Sequence, residues 1–286
     1  MNLSSHRSIE RSCLFVPGSR PERFGKACAA GADRIIVDLE DAVAPAEKPG
    51  ARAAIAAWLA SAHSVWIRIN GAATEWFQED VELCRLPGVA GVVLAKAERV
   101  EDIQHIARRL AAGTAILPLI ESAIGFSNAL KLARAERVSR LIFGTIDFQA
   151  DLGISGEAEE LGHFRSQLVL WSRLAGLAPP VDGVSTALHD HGTIEAEARR
   201  ARQFGFGGKL CVHPEQVEIV NRCFDPTDRE IAWARRVAAA GETMQGAAVA
   251  VDGCMVDRAV LARAHAILAR GAQRAQRGSR APNEEQ

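Results

Sequence analysis

Residues 35–43 read IIVDLEDAV. Three β-branched residues, Ile35, Ile36 and Val37, predict a buried strand. That strand runs straight into Asp38, Glu40 and Asp41. Burying a carboxylate costs several kcal/mol unless it is paired or holds a cation. Three acids at the end of a core strand therefore mark a place where charge is compensated, by basic side chains or by a metal ion.

The same pattern repeats in both directions. Short apolar runs read as strands at CLFVPG, RIIVDLE, SVWIRIN, AGVVLAKA, AILPLIES, RLIFGTID, VDGVST and GKLCVHP, in that order. Helical periodicity fills the gaps, as in PGARAAIAAWLASA, VEDIQHIARRLAAG and TIEAEARRARQFG, and several of these stretches end in Gly. Strand and helix in alternation predict parallel βαβ units. Eight of them are the count of a (β/α)8 TIM barrel, expected over residues 1–222. A doubly wound sheet is the runner-up, but the turn after the first strand is Pro17-Gly18-Ser19-Arg20, not GxGxxG. Gly205–Lys209 (GFGGK) precedes a strand, so it reads as a helix stop and not a phosphate loop. Beyond the barrel, residues 223–270 read as a C-terminal appendage of helix, hairpin around Asp252-Gly253, and helix. The polar stretch 271–286 is expected to be disordered.

Composition excludes several function classes. Of 286 residues, 48% are hydrophobic and 24% charged, with a formal net charge of −1. That balance gives no reason to expect nucleic acid or an anionic membrane as partner. No apolar run approaches the roughly 18 residues of a membrane span, and MNLSSHRSIE has no apolar signal core. The six cysteines form no CxxC pair, which fits a reducing cytoplasm. There is no tyrosine to act as acid, base or nucleophile.

In a barrel of this kind the active site lies at the carboxyl ends of the strands. There the sequence places Phe15 with Arg20 and Lys26, then Asp38, Glu40 and Asp41, Arg68 and Asn70, Lys96, Glu121 and Ser122, Asp147 and His213. Glu121 and Asp147 each follow an apolar run on adjacent strands, and two such carboxylates with water suit Mg²⁺. Glu40 and Asp41 are placed to accept hydrogen bonds from metal-bound water. The competing reading is a set of rim ion pairs with Arg34, Arg68 or Lys96. His189-Asp190-His191 resembles a metal cluster but falls in the loop after the seventh strand, and reads as solvated loop.

Six motifs in fixed order carry a resemblance: LFVPGSRPERFGKA, VDLEDAV, RIN, LPLIESAIGF, FGTIDFQADLG and GKLCVHPEQV. Together they resemble the HpcH/HpaI aldolase and citrate lyase β-subunit superfamily, with malyl-CoA, citramalyl-CoA and citryl-CoA lyases as the nearest look. The resemblance implies a TIM barrel, bound Mg²⁺ and a homotrimer or homohexamer. It implies Glu121 and Asp147 as metal ligands and Arg68 as the clamp on a keto-acid carboxylate. Phe15, Arg20 and Lys26 match contacts to the CoA thioester and its phosphates. Ile146, Val212 and His213 match substrate-binding positions, the last two where the family closes over the CoA arm. Glu40 and Asp41 match an acidic pair near the metal. In MVDRAV, Asp257 matches an aspartate that reaches a neighbouring subunit's site. Two departures stand out: Leu94-Ala95-Lys96 where the family often reads LPK, and Asp257-Arg258-Ala259 where it often reads Asp-x-Pro. The activity so implied is cleavage of a 3-hydroxy-3-carboxy acyl-CoA to acetyl-CoA and a keto acid, with (3S)-citramalyl-CoA as first choice. A malyl-CoA thioesterase, an acyl-carrier-dependent citrate lyase subunit, a pyruvate aldolase on free acids and a catalytically inert scaffold are the alternatives.

Overall fold

A computed structural model describes residues 10–61, 63–242 and 248–278. The chain divides into two compact units, Ile9–Phe224 and the segment from Asp225 onward.

The first unit is a closed barrel of eight parallel strands in sequential order. The strands are β1 Ser12–Pro17, β2 Arg34–Asp38, β3 Val65–Ile69, β4 Val89–Leu94, β5 Ala115–Ile120, β6 Ile142–Phe143, β7 Val181–Asp182 and β8 Gly208–Cys211. The helices are α1 Phe24–Ala29, α2 Lys48–Leu59, α3 Phe77–Leu83, α4 Val100–Ala107, α5 Ala123–Ala133, α6 Thr145–Leu152, α7 Gly162–Leu174, α8 His191–Phe204 and α9 Glu215–Phe224. The barrel closes where Cys13 pairs with Leu210. This is the TIM barrel expected from the sequence.

Strand alternation builds two cores. Leu14, Val16, Ile35, Val37, Ile67 and Ile120 face outward and pack under the helices. Cys13, Ile36, Trp66, Leu117, Leu119 and Leu210 face inward and plug the barrel. The next inward position on each strand is the first one above the plug. That parity delivers Asp38, Arg68 and Glu121 to the carboxyl-end rim.

Two strands are shorter than their apolar runs. RLIFGTID predicts a strand to Asp147, but β6 stops at Phe143 and Asp147 lies in the first turn of α6. The break falls at Gly144, where a Cβ would sit 2.6 Å from the Cβ of Glu121. Only glycine lets the chain turn against that side chain. β7 keeps only Val181 and Asp182 of VDGVST. Gly205 ends α8 in the left-handed conformation, φ 101°, so GFGGK is a helix stop.

The second unit holds α10 Asp228–Glu242, strands β9 Val249–Val251 and β10 Cys254–Val256, and α11 Arg258–Gly278. β9 and β10 form an antiparallel hairpin whose turn residues, Asp252 and Gly253, both have positive φ, the geometry of a two-residue hairpin turn. Ala234, Val237, Val256 and Ala264 form its core. α11 runs past residue 270, where a disordered tail was expected to start. The extension is held because Arg274 reaches the Pro226 carbonyl at 3.0 Å and Asp228 at 2.8 Å, and Arg277 pairs with Asp225 at 2.9 Å. Residues 279–286 lie outside the described residues. Among the described residues no helix is long and apolar enough to cross a membrane.

Candidate active site at the carboxyl end of the barrel

The acids of IIVDLEDAV do not play equal parts. Asp38 and Arg68 are direct register partners on β2 and β3. Arg68 Nε and Nη2 donate to the two Asp38 oxygens at 2.6 and 2.7 Å. Asp38 also accepts the backbone N–H groups of Glu40 and Ala42, which curls the chain back over the rim. Arg68 Nη1 reaches Glu40 at 2.9 Å. The Phe15 ring lies over the guanidinium, 4.8 Å from it. A guanidinium has five N–H donors, and these contacts engage three. The remaining edge is that of a side chain on the cavity wall.

Arg34 takes no part, because it pairs with Glu10 at 3.1 Å. Asp38 is the residue that sequence reasoning places at the rim without a role, which goes to Glu40 and Asp41. Strand parity would have singled it out, since it occupies the same inward phase as Ile36.

Glu121 is buried, 3% exposed, immediately after β5. Its Oε1 accepts the Lys96 N–H at 2.6 Å. Lys96 adopts φ 48°, a left-handed conformation that a lysine takes at a cost of roughly 1–2 kcal/mol, and it aims that N–H at the carboxylate. Its ammonium reaches Glu40 at 3.2 Å. Burial pushes the Glu121 carboxyl up to about 8, against the Lys96 N–H bond, and the charges of Glu40 and Asp147 add to the rise. Burial also raises Glu40, opposed by Arg68.

A cavity of about 420 Å³ opens among these groups. Of the residues expected from sequence, Phe15, Asp41, Arg68, Glu121, Ile146, Asp147 and Val212 line it. Asp38, Pro17, Ala42, Leu119, Gly144, Thr145, Val184 and Leu210 complete the lining. Glu40 sits behind the wall as the partner of Arg68 and Lys96. Arg20 and Lys26 are exposed and outside the lining. His213 lies in the turn before α9, its ring 5.5 Å from that of His189. Asp257 accepts the N–H groups of Ala259 and Val260, both at 2.9 Å, and so caps α11 within its own chain.

The cluster carries five carboxylates, Asp38, Glu40, Asp41, Glu121 and Asp147, against two cationic side chains, Arg68 and Lys96. With all ionised, three negative charges are unbalanced, and a divalent cation offsets most of that excess. The donors are hard oxygens, as Mg²⁺ requires. Among the described residues no three His, Cys, Asp or Glu side chains converge to hold a metal alone. Glu121 and Asp147 supply two such donors to one cavity and could hold Mg²⁺, an ion that usually keeps several waters in its shell. The His189-Asp190-His191 stretch is no metal cluster: Asp190 caps α8 through Thr193 and His189 meets Glu215 at 3.0 Å.

The acidic turn is anchored from below by Lys48, which is 3% exposed. Its ammonium donates to the Leu39 and Glu40 carbonyls and to Asn70, at 2.7, 2.9 and 2.8 Å. Asn70 in turn bonds the fully buried Asp80, which pairs with Arg52. Replacing Lys48 by Met removes a buried cation and three hydrogen bonds, leaving Asn70 Oδ1 without a donor while the Leu39 and Glu40 carbonyls keep the Asn70 amide and the Val43 N–H. The expected cost is about 3 kcal/mol of stability. A shift in the urea midpoint at unchanged slope checks it, and a cost below about 1 kcal/mol contradicts it.

Residues 11–214 match the family HpcH/HpaI aldolase/citrate lyase. The chain belongs to this family. It is 35% identical over 278 residues to a citrate lyase subunit beta-like protein of Deinococcus radiodurans, covering 91% of this chain and 97% of that one. It is 37% identical over 277 residues to a (3S)-malyl-CoA thioesterase of Cereibacter sphaeroides, covering 91% and 96%. Among solved structures it resembles protein CitE of Mycobacterium tuberculosis in complex with magnesium, acetoacetate and coenzyme A, with TM-score 0.82, 34% identity and coverage of 93% and 99%. The resemblance read from the six motifs is thereby confirmed at the level of family and fold.

Proposed function

We propose that this chain is a magnesium-dependent CoA-thioester lyase that cleaves (3S)-citramalyl-CoA to acetyl-CoA and pyruvate. One observation carries the reading: Arg68, oriented by Asp38, shares one cavity wall with the Glu121 and Asp147 carboxylates. A planar cation beside a pair of hard oxygen donors is what a 2-hydroxy or 2-keto carboxylate needs. Of the solved structures that resemble this chain, protein CitE of Mycobacterium tuberculosis holds magnesium with pyruvate, and a citrate lyase beta subunit of the same organism holds magnesium with oxaloacetate.

Glu121 and Asp147 are the residues that would hold Mg²⁺. When bound, the ion would polarise the substrate's carboxylate and hydroxyl oxygens as a Lewis acid. Arg68 clamps the carboxylate with its outer edge and offsets charge developing on the neighbouring oxygen. Asp41 lines the cavity and accepts hydrogen bonds from water there, while Glu40 fixes Arg68 and Lys96. The hydroxyl proton passes to water beside Asp41, the O–H pair becomes the keto C=O, the C–C pair leaves as the acetyl-CoA enolate, and the enolate takes up a proton. Arg20, Lys26 and His213, outside the cavity, are assigned to the distal part of the CoA.

The wall chooses among keto acids. Leu119 on β5 gives the methyl of pyruvate an apolar neighbour. The second carboxylate of oxaloacetate finds a cluster already in negative excess. A methyl separates pyruvate from glyoxylate by roughly 1–3 kcal/mol. Values of kcat/KM for citramalyl-, malyl- and citryl-CoA test the choice, with citramalyl-CoA expected to lead by about tenfold or more. Turnover of free hydroxy-keto acids in place of thioesters overturns the reading. Malyl-CoA thioesterase activity is the second reading, favoured by the relatives of that name.

The proton donor to the enolate is assigned to Asp257 of a neighbouring copy in a trimer or hexamer. Asp257→Asn is expected to lower kcat about a hundredfold with little change in KM. Mixing it with inactive Asp147→Asn, with subunit exchange, restores activity if the donor acts across copies. No recovery in the mixture rules out donation between copies.

A further inference from the structure

Gln216 ties two rim loops together with a single side-chain amide. It lies in the first turn of α9 and is 1% exposed. Its Oε1 accepts the backbone N–H groups of Val212 and His213, at 2.8 and 3.2 Å. Its Nε2 donates to the carbonyls of Ser185 and Ala187, at 3.1 and 2.8 Å. A primary amide has two donors and a carbonyl oxygen with two lone pairs, so every hydrogen-bonding position is used.

One of the loops follows β7 and carries Val184; the other follows β8 and carries Val212. Both residues line the cavity beside Leu210, Phe15 and Pro17, and none of the five is charged. The cavity thus has a charged sector from β2, β3, β5 and α6, and an apolar sector from β7, β8 and β1. The strand ladder gives the β7 loop little hold, because β7 makes one register pair with β6 and two with β8. Lys209 adds one bond, to the Gly183 carbonyl at 2.9 Å. Gln216 adds four more across the two loops, and His189 pairs with Glu215 at 3.0 Å farther along the same loop.

We infer that Gln216 is a positioning residue that sets the apolar wall on which the thioester arm lies. It governs substrate affinity without touching the reacting atoms. The inference rests on the thioester reading above: the keto-acid half occupies the charged sector, and the uncharged arm needs the apolar one.

Two variants test it. Gln216→Glu keeps the shape and, when ionised, cannot donate to Ser185 and Ala187. Val212→Ala trims the wall at a residue that is 41% exposed, so folding is not at stake. Each is assayed on the thioester that the wild type cleaves, with the magnesium-induced rise in Tm as a control on the charged sector. The expected result is a KM raised about tenfold in Gln216→Glu and about threefold in Val212→Ala, with kcat within about threefold and the magnesium response unchanged. Hydrogen exchange in Gln216→Glu is expected to quicken in both rim loops and nowhere else in the barrel. Wild-type KM in an active Gln216→Glu overturns the positioning role alone, as does a matched loss of kcat and of the magnesium response. If Gln216→Glu does not fold, Val212→Ala decides by the same KM criterion. A wild type that cleaves no thioester overturns the lyase reading, and this one with it.

Discussion

Arg68→Met is expected to lower kcat/KM for the thioester by about a thousandfold, or roughly 4 kcal/mol. Two losses combine. The substrate carboxylate loses a charge-assisted fork, and buried Asp38 loses the cation that holds it, while Glu40 keeps only Lys96. The second loss also costs stability, about 3–5 kcal/mol. Activity and folding are separated by a double variant. Asp38→Asn with Arg68→Met removes the buried uncompensated charge and is expected to regain part of the stability but none of the activity. Arg68→Lys keeps a charge without the planar fork and is expected to retain about a hundredth of wild-type kcat/KM. Activity within tenfold of wild type in a folded Arg68→Met would remove the arginine from the mechanism.

The second large effect concerns magnesium and pH. The Glu121 carboxyl is raised from its ordinary 4.5 to about 8 by burial. For an acid whose folded value is raised, the stabilising contribution is complete below 4.5 and is lost as pH climbs through 8. Metal-free protein should therefore lose stability over that window, and Glu121→Gln, which imitates the protonated acid, should lose less. Magnesium needs the ionised carboxylate, so it competes with the proton. Its Kd is expected to rise about tenfold per unit as pH falls from 8 to 6. Calorimetric titrations in buffers of different ionisation enthalpy check this through release of about one proton per ion at pH 7. Glu121→Gln and Asp147→Ala should show no magnesium-induced rise in Tm. A pH-independent Kd, or a normal response in either variant, contradicts the assignment.

Much of this arrangement was legible in the amino-acid sequence, and the reasons are particular. The eight strands show as apolar runs because a barrel strand is covered on both faces, by plug and by helices. Arg68 and Glu121 show because a charge that ends such a run has nowhere to go but the rim. Asp147 was placed one element early: LIFGTI is apolar throughout, and the turn at Gly144 depends on the Glu121 side chain from another strand. Asp38 was obscured by its acidic neighbours, although its inward phase matches that of Arg68. Lys48 was not legible at all, and Gln216, although inside GKLCVHPEQV, gave no sign of its role. Their partners are mainly backbone carbonyls and amides, which every residue has, so no side-chain pattern announces them. Arg20 and Lys26 follow β1 as the family motif requires, yet lie outside the cavity, so their assignment depends on how far a CoA arm extends from it.

The most direct test of the central claim is a product balance. Purified protein is incubated with (3S)-citramalyl-CoA and Mg²⁺, and acetyl-CoA, pyruvate and free CoA are quantified together, with and without EDTA. Acetyl-CoA and pyruvate are expected in equal amounts, with little free CoA and loss of both products with EDTA. Free CoA without pyruvate would mark a thioesterase, and no magnesium-dependent product at all would contradict the account.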